Sequence, residues 1–245
     1  MSVTFRQIYS RLVDDILKDR PFSNRLIKDE RVNFADRYCV QLINEGEARL
    51  AELTHYLIDQ TTASVSEIAL QDGVSEYPLH SSVISLYGPP VILEAGTKKP
   101  KQRLARFPEQ RALVSLDISS GAPCRFRLGR RNIQVWPTPG PDEVGQVIKF
   151  SCYRKPLVPY TVPASNSDAA WEVECEFPDE YAYTSLHYVV STALKVSQDL
   201  DAVERQAAEA ATAMWQREYT ALKDEVLLAT MNTSPSYFTN DIMRF

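Results

Sequence analysis

Hydrophobic positions recur along this chain at two different periods. Phe5, Ile8, Tyr9, Leu12, Val13, Ile16 and Leu17 are spaced three and four apart, which places them on one face of a helix. Thr4 and Gln7 precede and join that face as a capping box, hydroxyl and amide each satisfying an orphan backbone N–H. Pro21 follows its end. A second, longer helix is predicted from Asp29 to about Ile58, with Val32, Ala35, Cys39, Leu42, Ile43, Leu50, Leu53 and Leu57 on its apolar face. At ~1.5 Å per residue it would run about 45 Å. Gly46 inside it marks a kink or a close contact.

From Ser64 to Phe177 the period shortens to alternation, punctuated by Gly and Pro. Strands are predicted over Val65–Leu70, Val83–Tyr87 and Val91–Glu94, and a short helix over Phe107–Asp117 behind Pro108. Cys124, Phe126 and Leu128 alternate with Arg125 and Arg127, and Gly129-Arg130-Arg131-Asn132 turns the chain into Ile133-Gln134-Val135-Trp136 as a hairpin. Ile148, Phe150 and Cys152 share one face of the next strand, and Trp171, Val173, Cys175 and Phe177 one face of the last. Residues 155–170, rich in Pro, Ser and Asn, read as the loop between them.

Helix returns at Pro178-Asp179-Glu180, where proline suits the first turn and the acids meet the positive end of the dipole. Its buried stripe is Ala182, Leu186, Val189, Val190, Ala193 and Leu194. The final helix is predicted from Asp199 to Leu228, with Ala202, Ala207, Ala208, Ala210, Ala211 and Ala213 in its first half. Small side chains let a neighbouring helix approach closely, so Ala207, Ala208 and Ala211 are the candidate close contact. The predicted fold is α+β: a long-helix bundle formed by both ends of the chain, a central β-rich insertion and an extended C-terminal tail. Residues 1–62 and 178–228 supply the bundle, 63–177 the insertion and 229–245 the extension.

That extension carries Met231, Tyr237, Phe238, Ile242, Met243 and Phe245 beyond a helix that Pro235 prevents from continuing. Solvated tails lack such residues, because low apolar content is what keeps a segment unfolded. An aromatic terminus after a finished helix therefore calls for a surface to bury it.

Composition narrows the function classes. The 245 residues hold 27 Lys+Arg against 32 Asp+Glu, a net charge of −5, without the clustered cations that grip a nucleic acid backbone. Lys98, Lys99, Lys101, Arg103 and Arg106 form one small basic segment, read as a solvated loop. No apolar run approaches the roughly 20 residues of a membrane helix, and the N-terminus has no signal-peptide core. Cys39, Cys124, Cys152 and Cys175 are scattered among apolar residues, as core cysteines are in a reducing compartment. A soluble intracellular protein is expected.

Chemistry is not evident. His55, His80 and His187 lie far apart with no metal-ligand spacing. A nucleophile elbow, a phosphate loop and a dinucleotide fingerprint are all missing, and eight glycines make a phosphate cradle a poor expectation. Glu172, Glu174 and Glu176 alternate with apolar residues, as on the wet face of an antiparallel strand. No catalytic residue, cofactor or metal is predicted.

Short motifs in a fixed order add a likeness. Asn44-Glu45 stands in the second helix, Tyr77-Pro78-Leu79 before the central strands and Ser120-Gly121-Ala122-Pro123 before the hairpin. Ile133-Gln134-Val135-Trp136-Pro137-Thr138-Pro139, Tyr153-Arg154-Lys155-Pro156 and Phe177-Pro178-Asp179-Glu180-Tyr181 follow. Across residues 40 to 195 this order resembles the head-to-tail adaptor (connector) proteins of tailed bacteriophages, although Leu42-Ile43 stands where an aromatic residue often precedes the Asn-Glu pair. The resemblance implies a virion structural protein, assembled in the host cytoplasm and placed in the virion neck. It implies a homo-oligomeric ring, typically of twelve copies, under the portal protein. Such a ring continues the channel for genomic DNA and presents the surface for tail or nozzle proteins. It also implies that the C-terminal extension grips the portal, and it places Ala207, Ala208 and Ala211 at a helix contact within or between subunits. Twelve copies at −5 make a ring near −60, from which phosphates slide instead of sticking. The competing readings are a stopper or tail-tube protein, a small virion-borne hydrolase, and a non-viral monomeric binding module with helical flanks.

Overall fold

The computed structural model describes residues 2–12, 32–107, 120–165, 167–195 and 202–233. The chain divides into two units, Met1–Leu57 with Lys155–Phe245, and Ile58–Arg154.

The first unit is helical. Helix α1 (Phe5–Ser10) opens with Thr4, whose backbone N–H donates to Gln7 Oε1 at 2.9 Å. Helices α2 (Val32–Thr54), α4 (Thr184–Lys195) and α5 (Ala202–Thr233) pack on one another. Phe5, Ile8, Leu12, Ile43, Leu50, Leu186 and Leu222 are among the large buried side chains of this unit. Gly46 is the crossing point of α2 over α4: a Cβ there would stand 3.1 Å from Ser185 Cβ and 3.2 Å from Tyr188 Cδ1. Of the two expectations for Gly46, kink or close contact, this is the close contact: a side chain there would force Ser185 or Tyr188 to give way by a few tenths of an ångström.

The second unit holds all eleven described strands and the one-turn helix α3 (Ala63–Ser66). Its first sheet orders β1 (Ile58–Asp59), β11 (Cys152–Arg154) and β4 (Val83–Leu86). The second orders β2 (Glu67–Ala69), β10 (Val147–Lys149), β5 (Val91–Leu93) and β6 (Pro100–Arg103). The third orders β3 (Glu76–Pro78), β9 (Asn132–Trp136), β8 (Arg125–Leu128) and β7 (Ala105–Arg106). All pairings are antiparallel except β7 with β8. Ile148 lies opposite both Ile68 and Ile92, and Val135 opposite Phe126, so buried apolar pairs set the register. Asp59 anchors the first sheet. It takes N–H bonds from Thr61 (3.0 Å) and Thr62 (2.9 Å) and an ion pair from Arg154 at 3.0 Å. Burial works to raise its pKa, but those bonds and the guanidinium outweigh it and hold the carboxyl below its usual range.

The fold expectation needs correction. The chain is α+β, but it is not a long-helix bundle formed by both ends with a β-rich insertion: three sheets of eleven strands with C-terminal helices make up the described structure. Among the described residues the N-terminal end contributes the short α1 and the 23 residues of α2. The extended C-terminal tail lies outside the described residues beyond Thr233, and so does the helix expected over Phe107–Asp117 beyond its first residue. Local expectations shift as well. The face Ile148–Phe150–Cys152 splits between β10 and β11 in two sheets, and residues 171–177 form no strand. Residues 178–183 are turns before α4 starts at Thr184. Cys39, Cys152 and Cys175 are buried as expected, but Cys124 is exposed.

Candidate functional site

Within the helical unit, residues 155–177 form a strap over α2. Lys155 Nζ pairs with Glu52 at 2.7 Å, and Leu157 N–H donates to Glu176 Oε1 at 2.6 Å. At the centre, Asn44 reads the backbone of Tyr160 with both ends of its amide. Its Oδ1 accepts the Tyr160 N–H at 2.8 Å and its Nδ2 donates to the Tyr160 carbonyl at 2.9 Å. One helix turn on, Glu47 Oε1 accepts the Tyr160 hydroxyl at 2.8 Å and the Cys175 thiol at 3.5 Å. Phe5 stacks on the Tyr160 ring with centroids 4.5 Å apart and on Trp171 at 5.5 Å. Val3 and Phe5 exchange backbone bonds with Cys175 and Val173. An open groove of about 740 Å³ runs beside this clamp, with Arg37, Val40, Asn44, Ala48, Tyr160 and Val162 among its walls.

Glu47 is 3% exposed. Burial pushes its carboxyl up to about 7, partly offset by the bonds from Tyr160 and Cys175, while the charge of Glu176 adds to the rise. Burial also pushes the Cys175 thiol up to about 12, reinforced by Glu47, and raises Tyr160 strongly for the same two reasons. The cluster ties α2 to the strap through the Tyr160 hydroxyl and the Cys175 thiol.

His80 Nδ1 lies 2.8 Å from Ser82 Oγ, and His187 Nε2 lies 3.2 Å from Glu218 Oε1. No group of His, Cys, Asp and Glu among the described residues could hold a metal ion, and no described helix is long and apolar enough to cross a membrane.

A family model described as the SU10 adaptor protein matches residues 4–239. The chain belongs to the SU10 adaptor protein family. This is a phage head-to-tail adaptor family, as the resemblance implied, and it makes the chain a structural phage protein. A search of curated proteins finds no match.

In this adaptor, Ala208 and Ala211 are buried and Ala207 is half-buried on α5. Ala208 and Ala211 stand on the face that meets α4, where Ser191 Oγ lies 3.1 Å from Thr212 Oγ1 and Tyr188 packs on Trp215. Met231 falls in the last turn of α5. Tyr237, Phe238, Ile242, Met243 and Phe245 lie outside the described residues. Asn44 and Glu45 entered the sequence argument as a family motif, and the structure gives Asn44 its role; Glu45 accepts a bond from Gln41 Nε2 at 2.9 Å on the surface. Glu47 was missed. Its one signal, an acid recurring three residues after Asn44 on a helix face of mostly apolar residues, is too weak to separate from a wet position.

Proposed function

We propose that this adaptor forms a closed ring, of twelve copies, beneath the portal, that the ring continues the DNA channel, and that it offers the surface on which the tail assembles. The match of the adaptor model to residues 4–239 carries this reading. In it, Met231, Tyr237, Phe238, Ile242, Met243 and Phe245 seat on the portal, ordering as they bind and burying aromatic anchors. Genomic DNA passes without sequence-specific contact.

Helix α5 supports the lateral contact. It is 32 residues long, about 48 Å at its rise of ~1.5 Å per residue. Ala208, Ala211, Trp215 and Leu222 bury one face. At about 100° per residue, Val203, Ala210, Met214, Ala221 and Leu228 share a second stripe roughly a third of a turn away. Val203 (60%), Met214 (54%) and Leu228 (61%) are exposed there. The ring reading gives that second stripe, with Ala207 at its margin, to the adjacent subunit.

Sedimentation of the purified chain with portal rings of the same phage tests the proposal, comparing the full chain with one ending at Thr233. Co-sedimentation of the full chain alone supports adaptor and tail grip together. Binding by both moves the grip into the folded body, and binding by neither overturns the reading.

A further inference from the structure

The β unit and the helical unit carry opposite charge. Residues 58–154 hold 12 Lys+Arg against 9 Asp+Glu, net +3, which leaves 15 against 23, net −8, for the rest of the chain. Topology concentrates the cations further. The basic segment expected as a solvated loop is the outer strand of two sheets in succession: β6 closes the second sheet, Leu104 is buried at the corner, and β7 closes the third. Beside β7 lies β8, with Ala105 N–H bonded to the Cys124 carbonyl and Phe107 N–H to that of Phe126. The hairpin tip Arg130-Arg131 continues β8. Two segments distant in sequence, Lys98–Arg106 and Arg125–Arg131, thus make one basic edge. Residues 99–107 alone extend about 25 Å at ~3.3 Å per residue.

Lys98 is held by Glu67 at 3.1 Å, and Arg125 stacks on Phe107, its guanidinium carbon 5.5 Å from the ring centroid. Lys99, Lys101, Arg103, Arg127, Arg130 and Arg131 are exposed, and among the described residues no acid pairs with them. Cations guard open strand edges against random pairing; here they continue past the edge strands to the hairpin tip. The helical unit offers the complement: Glu174, Glu180 and Glu225 are exposed. Glu180 is the chain neighbour of Tyr181, whose hydroxyl hydrogen-bonds Glu225, so those two carboxylates share one patch.

We propose that the basic edge of the β unit docks on the acidic patch of the helical unit of a second copy, an electrostatic head-to-tail contact between neighbouring subunits. This rests on the ring reading. A heterologous contact of this kind joins two different patches and propagates until the ring closes. Charge pairing across it sets partner choice and encounter rate more than raw affinity. A free DNA backbone fits less well, since Glu67 and Glu76 stand among the cations and the whole chain is acidic.

Two reversed chains test it, R103E/R127E/R131E and E174K/E180K/E225K, each checked for unchanged circular dichroism and melting. Assembly on portal rings is read by sedimentation in low salt. Each variant alone should lose at least about tenfold in assembly. An equimolar mixture should recover it, because every junction in an alternating ring is again opposite in sign. Assembly of both variants at wild-type level, or no recovery in the mixture, overturns the contact and leaves the ring standing. A wild-type chain that never self-assembles, with portal or without, overturns both. Retained assembly with loss of binding to a 30-base-pair duplex by R103E/R127E/R131E makes the edge a nucleic-acid surface and overturns the proposal.

Discussion

Replacing Glu47 with glutamine should remove a pH dependence that the buried carboxyl imposes on the helical unit. Glu47 has an ordinary carboxyl in the unfolded chain, near 4.5, and is pushed up to about 7 when buried beside Tyr160 and Cys175. Between those values the folded chain holds a proton that the unfolded chain has lost, so stability falls as pH rises. Below about 4.5 the penalty is absent, and above about 7 it is complete. The difference of two to three pK steps corresponds to about 3 kcal/mol. Glu52 and Glu218 are shifted the other way. Their contribution is gained above the ordinary carboxyl range and is lost only as pH falls through it, outside this window. The assay is urea unfolding from pH 5 to 8.5 followed by tryptophan emission, since Trp171 sits 5.5 Å from Phe5 in the same aromatic stack. The wild type should weaken across the range and level off above about pH 7.5. E47Q keeps an acceptor for the Tyr160 hydroxyl and should be nearly flat, more stable than wild type at pH 8. A wild type equally stable at pH 5 and 8, or an E47Q chain with the same slope, would refute the assignment.

Asn44→Ala strips both partners from the Tyr160 backbone and should cost about 2 kcal/mol, the usual penalty for two stranded polar groups; protease cleavage near Tyr160 should rise in step. Gly46→Leu forces a side chain into the 3.1 Å gap at Ser185 and should cost about 1–3 kcal/mol by overpacking, read by thermal melting. Ala211→Phe should likewise destabilise the α4–α5 pair, whereas Met214→Glu, on the exposed stripe, should leave melting unchanged and abolish ring assembly. Arg154→Met leaves Asp59 buried and unpaired and should destabilise the β unit by roughly 3 kcal/mol, measured as hydrogen exchange in β4 and β11.

Local chemistry was legible wherever a few neighbouring residues decide it. Thr4 and Gln7 cap α1, and the Gly129–Asn132 turn joins β8 to β9. What failed depends on partners distant in the chain. Trp171, Val173, Cys175 and Phe177 alternate as a strand would, yet Cys175 and Phe177 bury themselves on an extended strap whose backbone bonds Val3 and Phe5. Pro178-Asp179-Glu180 has the composition of a helix start, but Asp179 accepts the Val3 N–H at 3.1 Å and the chain turns twice before α4. Glu47 took its character from Tyr160, 113 residues away, and the basic edge came from two segments that only sheet order brings together.

The mass of the complex between this chain and its portal, measured intact, tests the central claim most directly. The account predicts a single closed stoichiometry of twelve adaptor copies on one portal ring. A complex with variable or fractional occupancy, or portal rings that carry no adaptor at saturating concentration, would contradict it.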